Sequence, residues 1–167
     1  MQISKLLKPE LIKLEMKTKV EFPADSPIHP QKRMILTKNE ILKELVDLLD
    51  KSGKVVNKKK LLLDFFNREK KATTGIGQGI AIPHIRSMQA REFILGFARS
   101  KLGYEFDSLD KKAVHLFFVM AAPPYEDKLY LKIFKALAEM LQYDYFIQKL
   151  LEVSTEYEVI RTIEEME

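Results

Sequence analysis

Apolar residues recur along the chain in more than one rhythm, and each rhythm predicts a different element. From Ile41 the spacing is helical, with Ile41, Leu42, Leu45, Val46, Leu48 and Leu49 on one face. Thr37 and Glu40 just ahead have the spacing of a capping box, which places the helix start at Thr37. Gly53 is a natural stop. A second helix is predicted from Asn57, carrying Leu61, Leu62, Phe65 and Phe66 and running out around residues 68–71. Leu129, Ile133, Leu137 and Leu141 recur every four residues and predict a long helix over about 126–141. Helix continues from Tyr143 to Leu151 after a break. Thr155 and Glu158 again have capping-box spacing and open a last helix with Val159, Ile160 and Ile163.

Two stretches follow the rhythm of strands. Phe93–Ala98 and Val114–Met120 are short, continuous apolar runs rich in β-forming residues, the second ended by Pro123-Pro124. The interval Ala72–Ser87, with Gly75, Gly77 and Gly79 at alternate positions, reads as extended chain or loop. Ahead of all these lie Ile3, Leu6, Leu7, Leu11, Ile12 and Leu14, with Ser4 placed to cap a short helix and Pro9 near its end or starting a second turn. Residues 19–36 hold Pro23, Asp25, Ser26, Pro27, His29 and Pro30 and predict an irregular loop or arm. Helices, strands, then helices: this order predicts an α/β fold, a mixed β-sheet sandwiched by helices, in a single domain over residues 1–167.

Composition narrows the classes. Apolar residues make up 46% and charged residues 31%, enough to fold and to bury a core. No apolar run approaches the roughly 18 residues of a membrane span, and the N-terminus lacks a signal-peptide pattern. A cytoplasmic protein without membrane insertion is expected. There are no cysteines, which excludes disulfides, thiolate nucleophiles and cysteine-ligated metals. The net charge of +4 comes from 28 Lys and Arg against 24 Asp and Glu. The tight basic runs, Lys58-Lys59-Lys60 and Lys111-Lys112, read as solvated surface, so nucleic-acid binding has no support.

The chemistry narrows to histidine. His29 falls in the proline-rich segment and reads as exposed. His115 lies inside an apolar strand and reads as a core or edge residue. The three histidines show no metal-ligand spacing, so no metal is expected. His84 differs in context. It follows a glycine-rich stretch whose backbone can approach an anion, Pro83 fixes the chain before it, and Arg68 and Arg86 are near in sequence. Neutral imidazole is a competent nucleophile towards phosphorus, and arginine matches phosphate geometry. The same residues also suit a tight turn joining two strands with His84 incidental. The glycines fit neither the dinucleotide fingerprint, since Ile80 occupies its third small position, nor a Walker loop. No serine has a Gly-x-Ser-x-Gly context.

The eleven residues Thr74-Gly75-Ile76-Gly77-Gln78-Gly79-Ile80-Ala81-Ile82-Pro83-His84 resemble the phosphorylation motif of the fructose/mannitol-type enzyme IIA domains of the bacterial phosphotransferase system, a group that includes the nitrogen-regulatory (PtsN) type. Arg68-Glu69 resembles the pair upstream of that motif, Val114–Met120 its central strand, and Leu131–Leu141 the helix after it. Met1–Lys19 resembles the start of the stand-alone regulatory members.

The resemblance implies an α/β sandwich with His84 as phosphoryl acceptor, Arg68 neutralising the phosphate, and Thr74, Gly77 and Gly79 forming the loop beside the histidine. The donor it implies is an HPr-like phosphohistidine protein. The onward partner is an enzyme IIB domain, in sugar transport, or a regulated target protein. No cofactor is implied. With no attached IIB or membrane domain in these residues, regulation is favoured. Two departures stand out. Tyr130 occupies the place of the family's second active-site histidine, which also motivates a reading as a binding module that has lost transfer. Residues 19–36 look like an insertion, either a tolerated loop or a partner- or dimer-contact arm.

Overall fold

Strand β6 (Val114–Ala122) carries the architecture of the computed structural model, which describes residues 2–25 and 27–167. Its antiparallel neighbour on one side is β5 (Ile94–Tyr104), and β1 (Ile12–Lys13) extends the sheet parallel to β5. The other edge of β6 is shared by two short strands in succession, β3 (Ile80–Ala81) and β4 (His84–Arg86), both parallel to it. β2 (Gly75–Gly77) closes the sheet antiparallel to β3. The gap between β3 and β4 falls at Ile82-Pro83, where proline has no N–H to donate and the Pro83 carbonyl still accepts from Met120 N.

Helices cover both faces, so β6 reads as a continuous apolar run. Leu116, Phe118 and Met120 pack with Ile133, Leu137, Phe146, Leu150 and Val159, from α4 (Asp127–Met140), α5 (Asp144–Glu152) and α6 (Glu156–Glu165). Phe117, Val119 and Ala121 face the opposite cluster, with Ile41, Leu45, Leu49, Leu61 and Phe65 from α2 (Pro30–Asp50) and α3 (Lys58–Lys71). This is the predicted mixed sheet between helices.

Side-chain caps account for three of the helix starts, two of them at residues where the sequence placed the start. The Asn57 side chain accepts from Lys60 N at 3.0 Å and opens α3. The Thr155 hydroxyl accepts from Glu158 N at 3.2 Å and opens α6.

Three expectations are corrected. Residues 30–36 are helical: α2 begins at Pro30, and the His29 imidazole caps it by accepting from Gln31 N at 3.2 Å. Proline breaks a helix interior but suits the first helical position, where its missing N–H is not needed. Thr37 is therefore not a cap; its hydroxyl donates back to Arg33 O at 2.9 Å within the helix. The irregular arm shortens to residues 19–29, of which Ser26 lies outside the described residues. Second, the N-terminal helix α1 covers only Ile3–Leu6, and Pro9 takes the second of its two expected places by starting a further turn, a 3-10 turn at Pro9–Leu11. Ser4 does not cap it; its N–H and hydroxyl donate to Glu167 at 3.1 and 2.7 Å. Met1, part of the start compared with the regulatory members, lies outside the described residues. Third, β5 continues to Tyr104, well beyond Ala98.

Candidate functional site

His84 opens β4 opposite Met120, and its side chain is half-buried in a cleft lined by Arg68, Ile85, Arg86, Tyr130, Leu131 and Phe134. Each wall comes from a different element. Arg68 projects from the last turns of α3, Arg86 from β4 two residues beyond His84, and Tyr130 and Phe134 from one face of α4, one turn apart.

The imidazole is held on three sides. His84 Nδ1 lies 2.6 Å from the Ile82 carbonyl. A carbonyl only accepts, so Nδ1 carries the proton. His84 Nε2 faces Arg68 Nη2 at 3.5 Å, and a guanidinium only donates, which is consistent with a bare lone pair on Nε2. Arg68 is itself anchored, its Nη1 donating to Ala72 O at 2.8 Å. The Phe134 ring meets the imidazole edge-on at 4.8 Å between centroids, and the Tyr130 ring lies at 6.0 Å.

Burial holds the His84 pKa below its ordinary value; the Ile82 carbonyl opposes this, the Arg68 charge reinforces it, and Glu69 opposes it. Burial likewise pushes the Tyr130 hydroxyl up to about 12, against the charges of Arg86 and Arg68. Tyr130 therefore presents a neutral O–H at physiological pH, a donor rather than a base.

Behind the cleft lies a buried ionic network. Lys38 of α2 pairs with Glu69 of α3 at 2.7 Å, both side chains buried. Glu69 also accepts from Thr74 N at 2.9 Å and from the Thr74 hydroxyl at 2.5 Å. Lys38 donates to the Thr73 hydroxyl at 3.1 Å. Arg68 and Glu69 thus point to different tasks from adjacent positions, one into the cleft and one into the support of residues 73–74.

Of the residues singled out from the sequence, His84, Arg68 and Tyr130 come together. Thr74 stands behind them, its carbonyl accepting from Ile82 N at 3.0 Å. Gly77 and Gly79 do not face His84. They have positive φ values of 104° and 79° and shape the β2–β3 turn, with Gly77 beside Asp110 and Gly79 beside His115. Ile80 pairs with Leu116 and His84 with Met120, which sets the turn about 13 Å or more from His84 along the strand at ~3.3 Å per residue. Those glycines serve the hairpin. His115 takes the structural role expected of it, its Nδ1 2.9 Å from Ser100 O.

Sequence reasoning missed Phe134, the Ile82 carbonyl and Lys38. Phe134 was in principle findable, because it follows Tyr130 by four on a predicted helix. Among the described residues, no group of three or more His, Cys, Asp or Glu could hold a metal ion, and no helix is long and apolar enough to cross a membrane.

Comparisons with known proteins point to one family. The family described as "Phosphoenolpyruvate-dependent sugar phosphotransferase system, EIIA 2" matches residues 27–166. The fructose-specific EIIABC component of Bacillus subtilis (strain 168) is 31% identical over 163 residues, 98% of this chain; the chain spans only 23% of that protein. The fructose-specific EIIA component of Haloferax volcanii is 34% identical over 123 residues, 74% of this chain and 80% of that protein. Among solved structures, the nitrogen regulatory protein IIA-Ntr of Neisseria meningitidis superposes with a TM-score of 0.80 at 25% identity, covering 96% of this chain and 98% of that one. The chain belongs to the EIIA 2 family of the phosphoenolpyruvate-dependent sugar phosphotransferase system.

Proposed function

We propose that this chain is a phosphocarrier that accepts a phosphoryl group on Nε2 of His84 from an HPr-like phosphohistidine protein. The observation that carries the reading is the orientation of the imidazole. The Ile82 carbonyl holds the proton on Nδ1, which leaves the Nε2 lone pair facing the cleft and Arg68. In-line attack by Nε2 needs little from the protein beyond positioning and charge neutralisation. Nε2 forms the new N–P bond while the donor's N–P bond breaks, its electron pair returning to the donor imidazole. No proton leaves His84. The positive charge that develops on its ring is stabilised by the short Nδ1–H bond to Ile82.

The test is incubation with phosphoenolpyruvate, enzyme I and an HPr-type carrier, followed by intact-mass measurement. A gain of about 80 Da, acid-labile and assigned to Nε2 by nitrogen-15 NMR, is the expected outcome, since a neutral imidazole attacks through its unprotonated nitrogen. No gain would leave a binding module without transfer as the better account, and a gain at Nδ1 would contradict the orientation.

Two destinations for the phosphoryl group are supported by different observations. The fructose-specific relatives support onward transfer to an enzyme IIB domain. The IIA-Ntr superposition supports a regulatory role in which phosphorylation changes binding to a target protein. Adding a fructose-type IIB domain separates them: discharge of the phosphorylated chain marks transport, and retention of the label marks regulation.

The depressed His84 pKa predicts the pH dependence. The nucleophile is the neutral ring, and with its pKa lowered the ring stays neutral as pH falls past the ordinary histidine value of 6.5. Single-turnover phosphorylation from a pre-charged donor is therefore expected to decline as pH falls with a midpoint below 6.5. A decline centred at or above 6.5 would show that the cleft does not depress this histidine.

A further inference from the structure

Charge is the unresolved quantity in the cleft. A phosphoryl group on a histidine nitrogen brings close to two negative charges, and Arg68 supplies one positive charge, part of its fork already committed to Ala72 O. Tyr130 remains neutral and Lys38 is occupied by Glu69. One further cation lines the cleft: Arg86, two residues along β4 from His84 and therefore on the same side of the strand. Its guanidinium carbon stands 5.5 Å over the Tyr130 ring, which is itself 6.0 Å from the imidazole. It is paired with Asp127, the first residue of α4. Both side chains of that pair are about half exposed, at 47% and 55%, so the pair is weak and readily exchanged.

Resting on the phosphocarrier reading above, we propose that Arg86 is a second catalytic cation: as the phosphoryl group reaches His84 Nε2, Arg86 leaves Asp127 and binds the phosphoryl oxygens alongside Arg68. Arginine suits the exchange because the fork that matches a carboxylate also matches a phosphate. Tyr130 provides the surface across which the guanidinium moves, its ring face favouring a cation throughout. Asp127 holds the cation nearby while the site is empty. Bond making and breaking are those given above; Arg86 contributes charge and hydrogen bonds only.

The experiment is single-turnover phosphorylation of wild type, Arg86→Gln, Arg86→Lys and Asp127→Asn. Each is charged once by a pre-phosphorylated HPr-type carrier and once by phosphoramidate, a donor that needs no docking surface. Arg86→Gln is expected to slow both reactions by about 100-fold or more, the scale for removing one preorganised donor from a developing anion. Arg86→Lys should fall between, keeping the charge but losing the fork. Asp127→Asn should speed transfer by about two- to fivefold, the scale of one exposed ion pair released. Three results would overturn the inference while leaving the phosphocarrier reading intact: Arg86→Gln at the wild-type rate; Arg86→Gln and Asp127→Asn slowed alike, which makes the pair a clamp between β4 and α4; or slowing with the protein donor alone, which assigns Arg86 to docking. A wild-type protein that neither donor charges defeats the phosphocarrier reading, and this inference falls with it. Arg86 is exposed, so unchanged thermal midpoints are expected to accompany the rate changes.

Discussion

Replacing His84 with alanine is expected to abolish acid-labile phosphorylation, and replacing Arg68 with glutamine to slow it by about 10²–10³-fold. The two effects differ in kind. His84→Ala removes the nucleophile, and neither other histidine can substitute. His29 caps α2 through Nδ1 in the exposed arm, and His115 is bonded to Ser100 O near the β2–β3 turn. Arg68→Gln leaves the nucleophile in place and removes a positive charge 3.5 Å from it. Attack then remains possible, but the transferring group loses electrostatic stabilisation, which in many enzymes contributes more to rate than any other effect. Glutamine retains a donor for the Ala72 carbonyl, so the turn after α3 should hold. Intact mass measures the first effect and quenched single-turnover kinetics the second. Label on the His84→Ala protein would move the acceptor elsewhere, and an Arg68→Gln rate equal to wild type would remove Arg68 from the chemistry.

The second large effect concerns stability. Glu69→Ala is expected to destabilise the fold by about 3–5 kcal/mol, the cost of breaking a buried ion pair so that one charge remains uncompensated. Lys38 would stay enclosed, with its ammonium 4.6 Å from the centre of the Phe106 ring and the Thr73 hydroxyl as its remaining partner. Thr74 N and its hydroxyl would lose their acceptor at the same time. For a chain of this size, a loss of that order lowers the thermal midpoint by roughly 10 °C. Chemical and thermal denaturation measure it, and a double-mutant cycle with Lys38→Met isolates the pair. A loss under about 1 kcal/mol would place this network among weak surface pairs instead. Because Thr74 O receives Ile82 N, loosening residues 73–74 should also release the segment that carries the Ile82 carbonyl, and phosphorylation should slow at temperatures where the protein remains folded.

Local signals reveal local structure. Asn57 and Thr155 cap their helices because a cap concerns only neighbouring residues, three positions apart. The strand Val114–Ala122 is legible because a strand buried on both faces leaves an apolar run, here broken by His115 alone. The same local reasoning misjudged Pro30, which marks a helix start as readily as a loop; the deciding partner was the His29 imidazole, a less common cap. It also misjudged the glycines. Gly77 and Gly79 are close to His84 in sequence, but extended chain converts a few residues into a long distance.

The sequence by itself was sufficient for the layered α/β architecture, for His84 as the acceptor candidate and for Arg68 as its companion, because residue type, periodicity and the resemblance of residues 74–84 all lie along the chain. Only the tertiary structure decided which imidazole nitrogen faces the cleft, that Phe134 joins Tyr130 in walling it, that Lys38 pairs with Glu69 behind it, and that the Arg86 side chain lines it. The reason is physical. Each of these depends on how elements far apart in sequence approach one another, and that approach is set by burying both faces of β6 beneath helices from the two ends of the chain.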